Sequence, residues 1–267
     1  MKIISEAAEE ESAPTTTAKI QHELSREVGT CDHFKAEKEA SNRLALKMED
    51  ELWTLICQDK FPLKRAVRYA LAGNFIDLGV FDVIDEKEAL NMIETSAEWE
   101  IDSPTLNRFE NDLRESKRLI YLTDNAGEIV FDKLLIRLLK KEYEHLNIEV
   151  IVRGAPILND ATTKDAKDVG MTKVAHVTGN GTNIPGTDLE KISKEAKRLI
   201  TEADIIISKG MGNFESLYGC DLNIYYAFLC KCEYFSKRFN VGINENIFLH
   251  NDDVHRIDSF AERRGDV

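Results

Sequence analysis

Arg118-Leu119-Ile120-Tyr121-Leu122-Thr123-Asp124-Asn125-Ala126-Gly127-Glu128-Ile129 is the stretch on which the reading of this chain turns. A short apolar run, Leu119 to Thr123, has the length and β-branched or aromatic content of a buried strand. It stops at an acid, an amide and a glycine, and an amphipathic segment, Ile129 to Glu144, follows at once. The same alternation then repeats. Apolar runs at Ile148 to Val152, Lys173 to Val177, Ile205 to Ser208 and Ile224 to Cys230 are separated by helical patterns. Those helices are expected at Thr162 to Val169, Leu189 to Glu202 and Glu233 to Phe239. Strand and helix in alternation at these lengths predict an α/β fold with a largely parallel, Rossmann-like sheet over 117–267.

Upstream the period changes. Leu44, Met48, Leu52 and Leu55 share one helix face, and Pro62 opens a second helix whose stripe is Leu63, Ala66, Val67, Ala70 and Leu71, stopped by Gly73. Asp85 and Glu88 read as a capping box for a third helix. Ser103-Pro104 starts a fourth, with Leu106, Phe109 and Leu113 on one side. Residues 19–116 are therefore expected to form an N-terminal helical subdomain or cap, and residues 1–18, acidic and then Ser/Thr/Pro-rich, a flexible tail without core contacts.

Composition narrows the function. The 267 residues carry 35 Lys plus Arg against 48 Asp plus Glu, a net charge of −13, which argues against a nucleic-acid partner because that needs a basic face. A local site can still take an anion, since a bound metal reverses the sign of the field around it. No run of about 18 uncharged apolar residues is present, so no membrane span is expected. Five cysteines do not suggest a disulfide framework; Cys230 and Cys232 read as reduced, partly buried thiols, and a cytoplasmic location is the default.

In a parallel sheet ligands gather beyond the carboxyl ends of the strands, so the residues delivered there are the candidates for chemistry. Asp124 and Asn125 offer hard oxygen ligands of the kind magnesium or manganese prefer, above the N–H groups of a helix start. An Asx turn with a helix cap explains the same residues equally well. Asn159-Asp160, after the second strand, brings a second acid–amide pair to the same edge, more than capping requires. Arg153 beside it is either a phosphate ligand or, the plainer expectation, half of a surface ion pair. Residues 178–188 form a polar, glycine-rich loop, read as a mobile substrate loop or an ordinary one. Lys209, ending the fourth strand before Gly210 and Gly212, is placed to neutralise a phosphate while the glycines admit backbone amides.

Three ordered motifs then coincide. Asp124-Asn125-Ala126-Gly127-Glu128, Arg153-Gly154-Ala155-Pro156-Ile157-Leu158-Asn159-Asp160-Ala161-Thr162 and Ser208-Lys209-Gly210-Met211-Gly212-Asn213-Phe214-Glu215 resemble the damage-control phosphatase family, long catalogued as domain of unknown function 89. Gly73-Asn74-Phe75-Ile76-Asp77 looks like a further segment of it, and the resemblance runs from about Lys60 to about Leu249. It implies a three-layer α/β/α sandwich with a helical cap. It also implies a phosphatase of small phosphorylated metabolites that uses a divalent metal (Mn2+, Mg2+, Ni2+ or Co2+). Carried over by motif, Asp124, Asn125 and Asp160 are metal ligands and Lys209 binds the phosphate. The substrate-facing set comprises Asn74, Asn125, Glu128, Arg153, Lys209, Gly210 and Asn213, and Asp124, Asp160 and Lys209 carry catalysis. Glu128 is either a base or, better, a cap for the helix it begins. The short-chain, archaeal-like branch that the chain otherwise resembles has a Cys-x-x-Cys near its amino end. Residues 1–30 hold no cysteine here, and Cys31 and Cys57 are far apart.

The attacking group is left between Asp124 and a metal-activated water, with water preferred because Ala126 stands where an Asp-x-Asp phosphatase has its second acid. Two rivals are a non-catalytic sugar-phosphate-binding protein and a Rossmann-like methyltransferase. The second wants a Gly-x-Gly-x-x-Gly after the first strand, and Asp124 to Glu128 contains one glycine.

Overall fold

The computed structural model describes residues 12–29, 32–75, 86–243 and 245–254. Five parallel strands and one antiparallel strand form a single sheet: β1 (Arg118–Leu122), β2 (Asn147–Val152), β3 (His176–Gly179), β4 (Ile205–Lys209), β5 (Ile224–Leu229) and β6 (Asn246–His250). Their order is β3-β2-β1-β4-β5-β6. The chain therefore builds one half of the sheet outward from β1 and the other half outward from β4. The topological switch point lies between those two strands, where their carboxyl ends leave a crevice for a ligand.

Side chains alternate across the strands and serve two cores. Leu119, Tyr121, Val150, Val152, Ile205 and Ile207 pack on one face with α2 (Lys35–Gln58), α3 (Pro62–Ala72), α4 (Glu86–Thr95), α5 (Ser103–Glu115) and α6 (Glu128–Glu142). Ile120, Leu122, Ile151, Ile206, Tyr226 and Phe228 pack on the other with α8 (Lys194–Thr201), α9 (Met211–Leu217) and α10 (Glu233–Phe239). The short α7 (Thr163–Asp168) follows β2. Helix, sheet and helix make the expected three layers. Helices α2 to α5 share one continuous apolar core with β1, β2, β4 and α6, so the chain on both sides of that expected boundary is held by the same packing.

Several boundaries move for identifiable reasons. The buried line of α2 is Ala45, Met48, Leu52 and Ile56, with Leu44 and Leu55 at its margins. Gly73 does not stop the chain's helical course: its φ is −51° and residues Gly73–Phe75 continue as a 3-10 turn that carries Asn74. Asp102 caps α5, its carboxylate accepting from the Thr105 amide at 2.8 Å. Asp85 of the expected capping box lies outside the described residues, as do Ile76 and Asp77. The third strand begins later than expected, because Met171–Lys173 turn as a 3-10 helix after Gly170. The crossover helix between β3 and β4 starts only at Lys194, where the Ser193 hydroxyl accepts from the Ala196 amide at 3.1 Å. β6 was not expected.

The amino-terminal expectation needs correction over residues 13–18, while residues 1–11 lie outside the described residues. Residues 13–18 belong to helix α1 (Ala13–Val28), in which Pro14, Thr15 and Ala18 are buried. The helix packs against α9, and the Lys191 ammonium donates to the Thr15 hydroxyl at 2.9 Å. A Thr-rich start has low helix propensity, but tertiary docking overrides it, and Pro14 in the first turn loses no bond it would have made. Among the described residues no helix is long and apolar enough to cross a membrane.

Candidate active site

The chain leaving β1 and the chain returning after β2 are stitched together just beyond the strand ends. The Ala161 amide donates to the Asp124 carbonyl at 2.7 Å, the Ala126 amide donates to the Asn159 carbonyl at 2.9 Å, and Asn125 and Asp160 face each other in an isolated antiparallel bridge. A tight turn delivers Asp160, with its amide on the Ile157 carbonyl at 3.1 Å and Leu158 held at a φ of 45°. A branched residue in that left-handed conformation is strained, and such strain collects at binding sites.

Asp124, Asn125 and Asp160 line a cavity of about 260 Å³ at this edge, and Asn74 joins them from the 3-10 turn. Met211, Gly212 and Glu215 of α9 form another wall, with Pro185 and Lys231 beside them. Pro14 and Thr17 of α1 close one side, so the segment expected to be a tail contributes to the cavity. Burial pushes the Glu215 carboxyl above its usual range. Burial also raises Asp160, and Glu128 adds to that, while the Arg153 guanidinium opposes it.

Arg153 is not on the surface. Its guanidinium is buried beneath the acids: Nε donates to Asp160 Oδ2 at 2.6 Å and Nη2 lies 3.5 Å from Asp124 Oδ1. Nη1 donates to the Asn213 side-chain oxygen at 2.9 Å and to the Gly186 carbonyl at 3.1 Å. Arg153 thus pairs as expected of an ion pair but inside the protein, where it neutralises the two carboxylates instead of facing a phosphate. The 178–188 loop helps hold it, and is itself pinned by the buried Asn180, whose side-chain oxygen accepts from the Gly154 and Thr182 amides at 2.9 Å. Asn213 likewise stands behind the cavity, its amide nitrogen bridging the Thr123 carbonyl at 3.0 Å and the Lys209 carbonyl at 2.7 Å.

Lys209 also departs from the expected role. Its side chain is wholly buried, and its ammonium donates to the Ala70 carbonyl at 2.7 Å, Glu128 Oε1 at 2.6 Å and Asp132 Oδ1 at 2.7 Å. All three N–H bonds are spent below the floor of the cavity. Burial alone would strip the proton from Lys209, but Asp132 and Glu128 outweigh it and hold the ammonium charged. Burial pushes Asp132 itself up to about 6. The strand's alternation explains the placement: Ile205, Ile207 and Lys209 share the face that meets α6. Among the described residues the cation that lines the cavity is Lys231, after β5, whose ammonium lies 3.4 Å from the Asn74 carbonyl.

Glu128 is the first residue of α6 and is buried. Its Oε2 accepts from the Asn74 side-chain amide at 3.0 Å, the Asn125 side-chain amide at 3.1 Å and the Asn125 backbone amide at 3.4 Å. That reach-back bond to the backbone N–H is cap-like. Gly210 leaves β4 with φ 78° and ψ 157°, and a Cβ there would lie 2.1 Å from Asp124 Oδ2. Only glycine lets the two strand ends meet this closely.

The donor set suits a hard divalent cation. The Asn125 side-chain nitrogen is committed to Asp124 Oδ2 at 2.9 Å and to Glu128 Oε2, which turns the amide oxygen away from both acids. Two carboxylates and one amide oxygen then share the cavity, a set that leaves coordination positions for water and phosphate oxygens. Among the described residues no three His, Cys, Asp or Glu side chains converge to hold a metal. A cation here therefore depends on the amide oxygen. Sequence reasoning did not assign Lys231 or Glu215 to the site, although Glu215 closes the third of the ordered motifs and Lys231-Cys232, after the last apolar run, resembles a late segment of the same family.

The chain is similar to several known proteins. A model of the damage-control phosphatase ARMT1-like domain matches residues 1–247. The chain is 34% identical over 258 residues to an uncharacterised protein of Methanocaldococcus jannaschii, covering 93% of this chain and 84% of that one. It is 34% identical over 233 residues to a damage-control phosphatase of Pyrococcus horikoshii, covering 86% and 78%. It is 30% identical over 223 residues to a damage-control phosphatase of Archaeoglobus fulgidus, covering 82% and 76%. Among solved structures, a protein of the domain of unknown function 89 family from Pyrococcus horikoshii matches with a TM-score of 0.84 at 28% identity, over 94% of this chain and 86% of that one.

Proposed function

The chain belongs to the damage-control phosphatase ARMT1-like family, and from that premise we propose that it is a divalent-metal-dependent phosphomonoester hydrolase. Its substrates are small phosphorylated metabolites, sugar phosphates or close relatives, and its setting is the cytoplasm. The observation that carries this reading is the bridge between Asn125 and Asp160, which gathers Asp124, Asn125 and Asp160 on one cavity at the switch point of the sheet.

These three residues would hold the cation; Mg2+ and Mn2+ suit oxygen ligands of this kind, and Ni2+ and Co2+ come from the family resemblance. When bound, it supplies the positive charge that draws off charge developing on the phosphoryl oxygens. Lys231 binds a further phosphate oxygen from the opposite wall, the task assigned from sequence to Lys209. Arg153 holds Asp124 and Asp160 in register and limits their mutual repulsion. Water is the attacking group: Ala126 leaves the Asp-x-Asp arrangement incomplete, and Asp124 is tethered by Asn125 and Arg153 as a ligand is. A P–O bond to the water oxygen forms as the ester P–O bond breaks, one proton of the water ends on the leaving oxygen, and the products are the alcohol and inorganic phosphate. Thr17, Pro185 and Met211 border the space for its carbon skeleton.

The test is phosphate release from a panel of sugar phosphates and an aryl phosphate, with Mn2+ and with chelator. Metal-stimulated release that is lost in Asp124→Ala and Asp160→Ala is expected. No release from any substrate in the presence of metal would refute the activity, and binding of sugar phosphates without release would make the chain a binding protein.

A further inference from the structure

Beneath the cavity lies a buried cluster for which hydrolysis, as derived above, has no direct use. Lys209, Glu128 and Asp132 are each fully buried, and the Tyr121 hydroxyl donates to Asp132 Oδ1 at 2.7 Å. Such a cluster could be core architecture alone. Its upper end argues otherwise. Glu128 divides its two oxygens between two tasks: Oε1 takes the Lys209 ammonium, and Oε2 takes the side-chain amides of Asn74 and Asn125 and the Asn125 backbone N–H. Every group on the Oε2 side is a donor from a residue that lines the cavity or from its backbone.

We infer that Lys209 is a positioning residue that acts through Glu128, holding the Asn125 side-chain amide with its oxygen, not its nitrogen, offered to a cation in the cavity. This rests on the metal reading given above. A carboxamide is nearly symmetric in shape, so packing alone distinguishes its two ends poorly; hydrogen bonding has to do it. Glu128 Oε2 and Asp124 Oδ2 together claim both N–H bonds of Asn125. Glu128 is buried away from solvent, and the Lys209 ammonium 2.6 Å from Oε1 anchors that oxygen so that Oε2 is directed at the two asparagines. The conformation of the strand ends and the oxygen ligand are thus set by a lysine that touches neither substrate nor cation. Ligand-orienting groups of this kind are a general need of metal sites.

The geometry sets the experiment. A glutamine at position 128 keeps the shape but has one acceptor oxygen for two groups of donors. In Glu128→Gln either Lys209 or the asparagines face an N–H end, and Mn2+ affinity measured by calorimetry is expected to fall about 10- to 100-fold. Adding Lys209→Met removes the competing donor, so the new amide oxygen turns to Asn74 and Asn125 and its nitrogen toward Asp132, one helical turn away. The double variant is expected to recover about tenfold of the lost affinity. Lys209→Met alone is avoided because it strands two buried carboxylates. Thermal unfolding of each variant establishes that it is folded. If the wild-type chain binds Mn2+ and Glu128→Gln binds it equally well, with only a lower melting temperature, the cluster is structural and the inference falls while the metal reading stands. A double variant no tighter than the single one overturns it too. A wild-type chain that does not bind Mn2+ overturns the ligand assignment and this inference with it.

Discussion

Gly210→Ala is the sharpest single change that the strand ends suggest. The backbone there, φ 78° and ψ 157°, lies in a region open almost only to glycine, so alanine costs about 1–3 kcal/mol in backbone strain alone. The added methyl would stand 2.1 Å from Asp124 Oδ2 and 2.2 Å from Cγ, where ordinary contact begins at 3.4 Å. The carboxylate must therefore retreat by roughly 1 Å, a displacement that at a reacting centre costs on the order of 100-fold in kcat/KM. Melting temperature is expected to drop by roughly 5 °C, at a few degrees per kcal/mol for a chain of this size. The natural control is Gly219, with φ 80° and open space for a methyl group, no atom lying within 4 Å of where it would stand. Gly219→Ala should lose about 1 kcal/mol and keep full activity. Calorimetry and phosphate release on the two variants separate strain from displacement. Wild-type kcat/KM in Gly210→Ala would refute the placement of Asp124 in the reaction, and an equal loss in both variants would refute the steric argument.

The remaining changes probe other parts of the site. Arg153→Met strands the buried Asp160 carboxylate and should cost about 3–5 kcal/mol by urea unfolding; a loss near zero would mean that Arg153 does not neutralise the acids. Lys231→Met should raise KM for a sugar phosphate about tenfold or more with little change in melting temperature, and an unchanged KM would return the phosphate to another group. Asp165 joins α7 to α2 through Lys38 at 3.3 Å and Asn42 at 3.0 Å. Burial would raise its carboxyl, but the Thr162 hydroxyl and amide and Lys38 outweigh it and hold it below the usual 3.8. A carboxyl depressed in the native state stabilises above 3.8 and loses that contribution as pH falls through its native value. The stability gap between wild type and Asp165→Asn should then be full at neutral pH and close in acid; a gap independent of pH would refute the linkage.

Much of the sheet could be read in advance because parallel strands buried on both faces leave near-continuous apolar runs, and five were visible. What the runs did not show is local. The amino-terminal helix has weak propensity and exists through contacts with α9 and Lys191, residues far off in sequence. β6 depends on an antiparallel return beside β5 that no periodic signal announces. Asp124, Asn125 and Asp160 were legible as a group because strand order places their termini together. Lys231 was not, because a lysine after an apolar run is usually a solvated end.

Lys209 is the instructive case. Position at a strand's carboxyl end suggested a phosphate ligand, yet a strand end has two faces, and residue parity decides between them. Ile205 and Ile207 share the parity of Lys209 and lie in the core against α6. On α6 the acids Glu128 and Asp132 stand one turn apart among Ile129, Val130, Phe131 and Leu134, all buried. Two acids on the sheet-facing side of this helix cannot both be buried without a cation, and a lysine of core-facing parity on the neighbouring strand is the kind of group that reaches them. Parity and acid spacing were both in the sequence and together point downward, away from the cavity. The phosphate-binding reading rested on position, the neighbouring glycines and the family motif, without parity, and the charge that it placed in the cavity is spent in orienting the ligand above it.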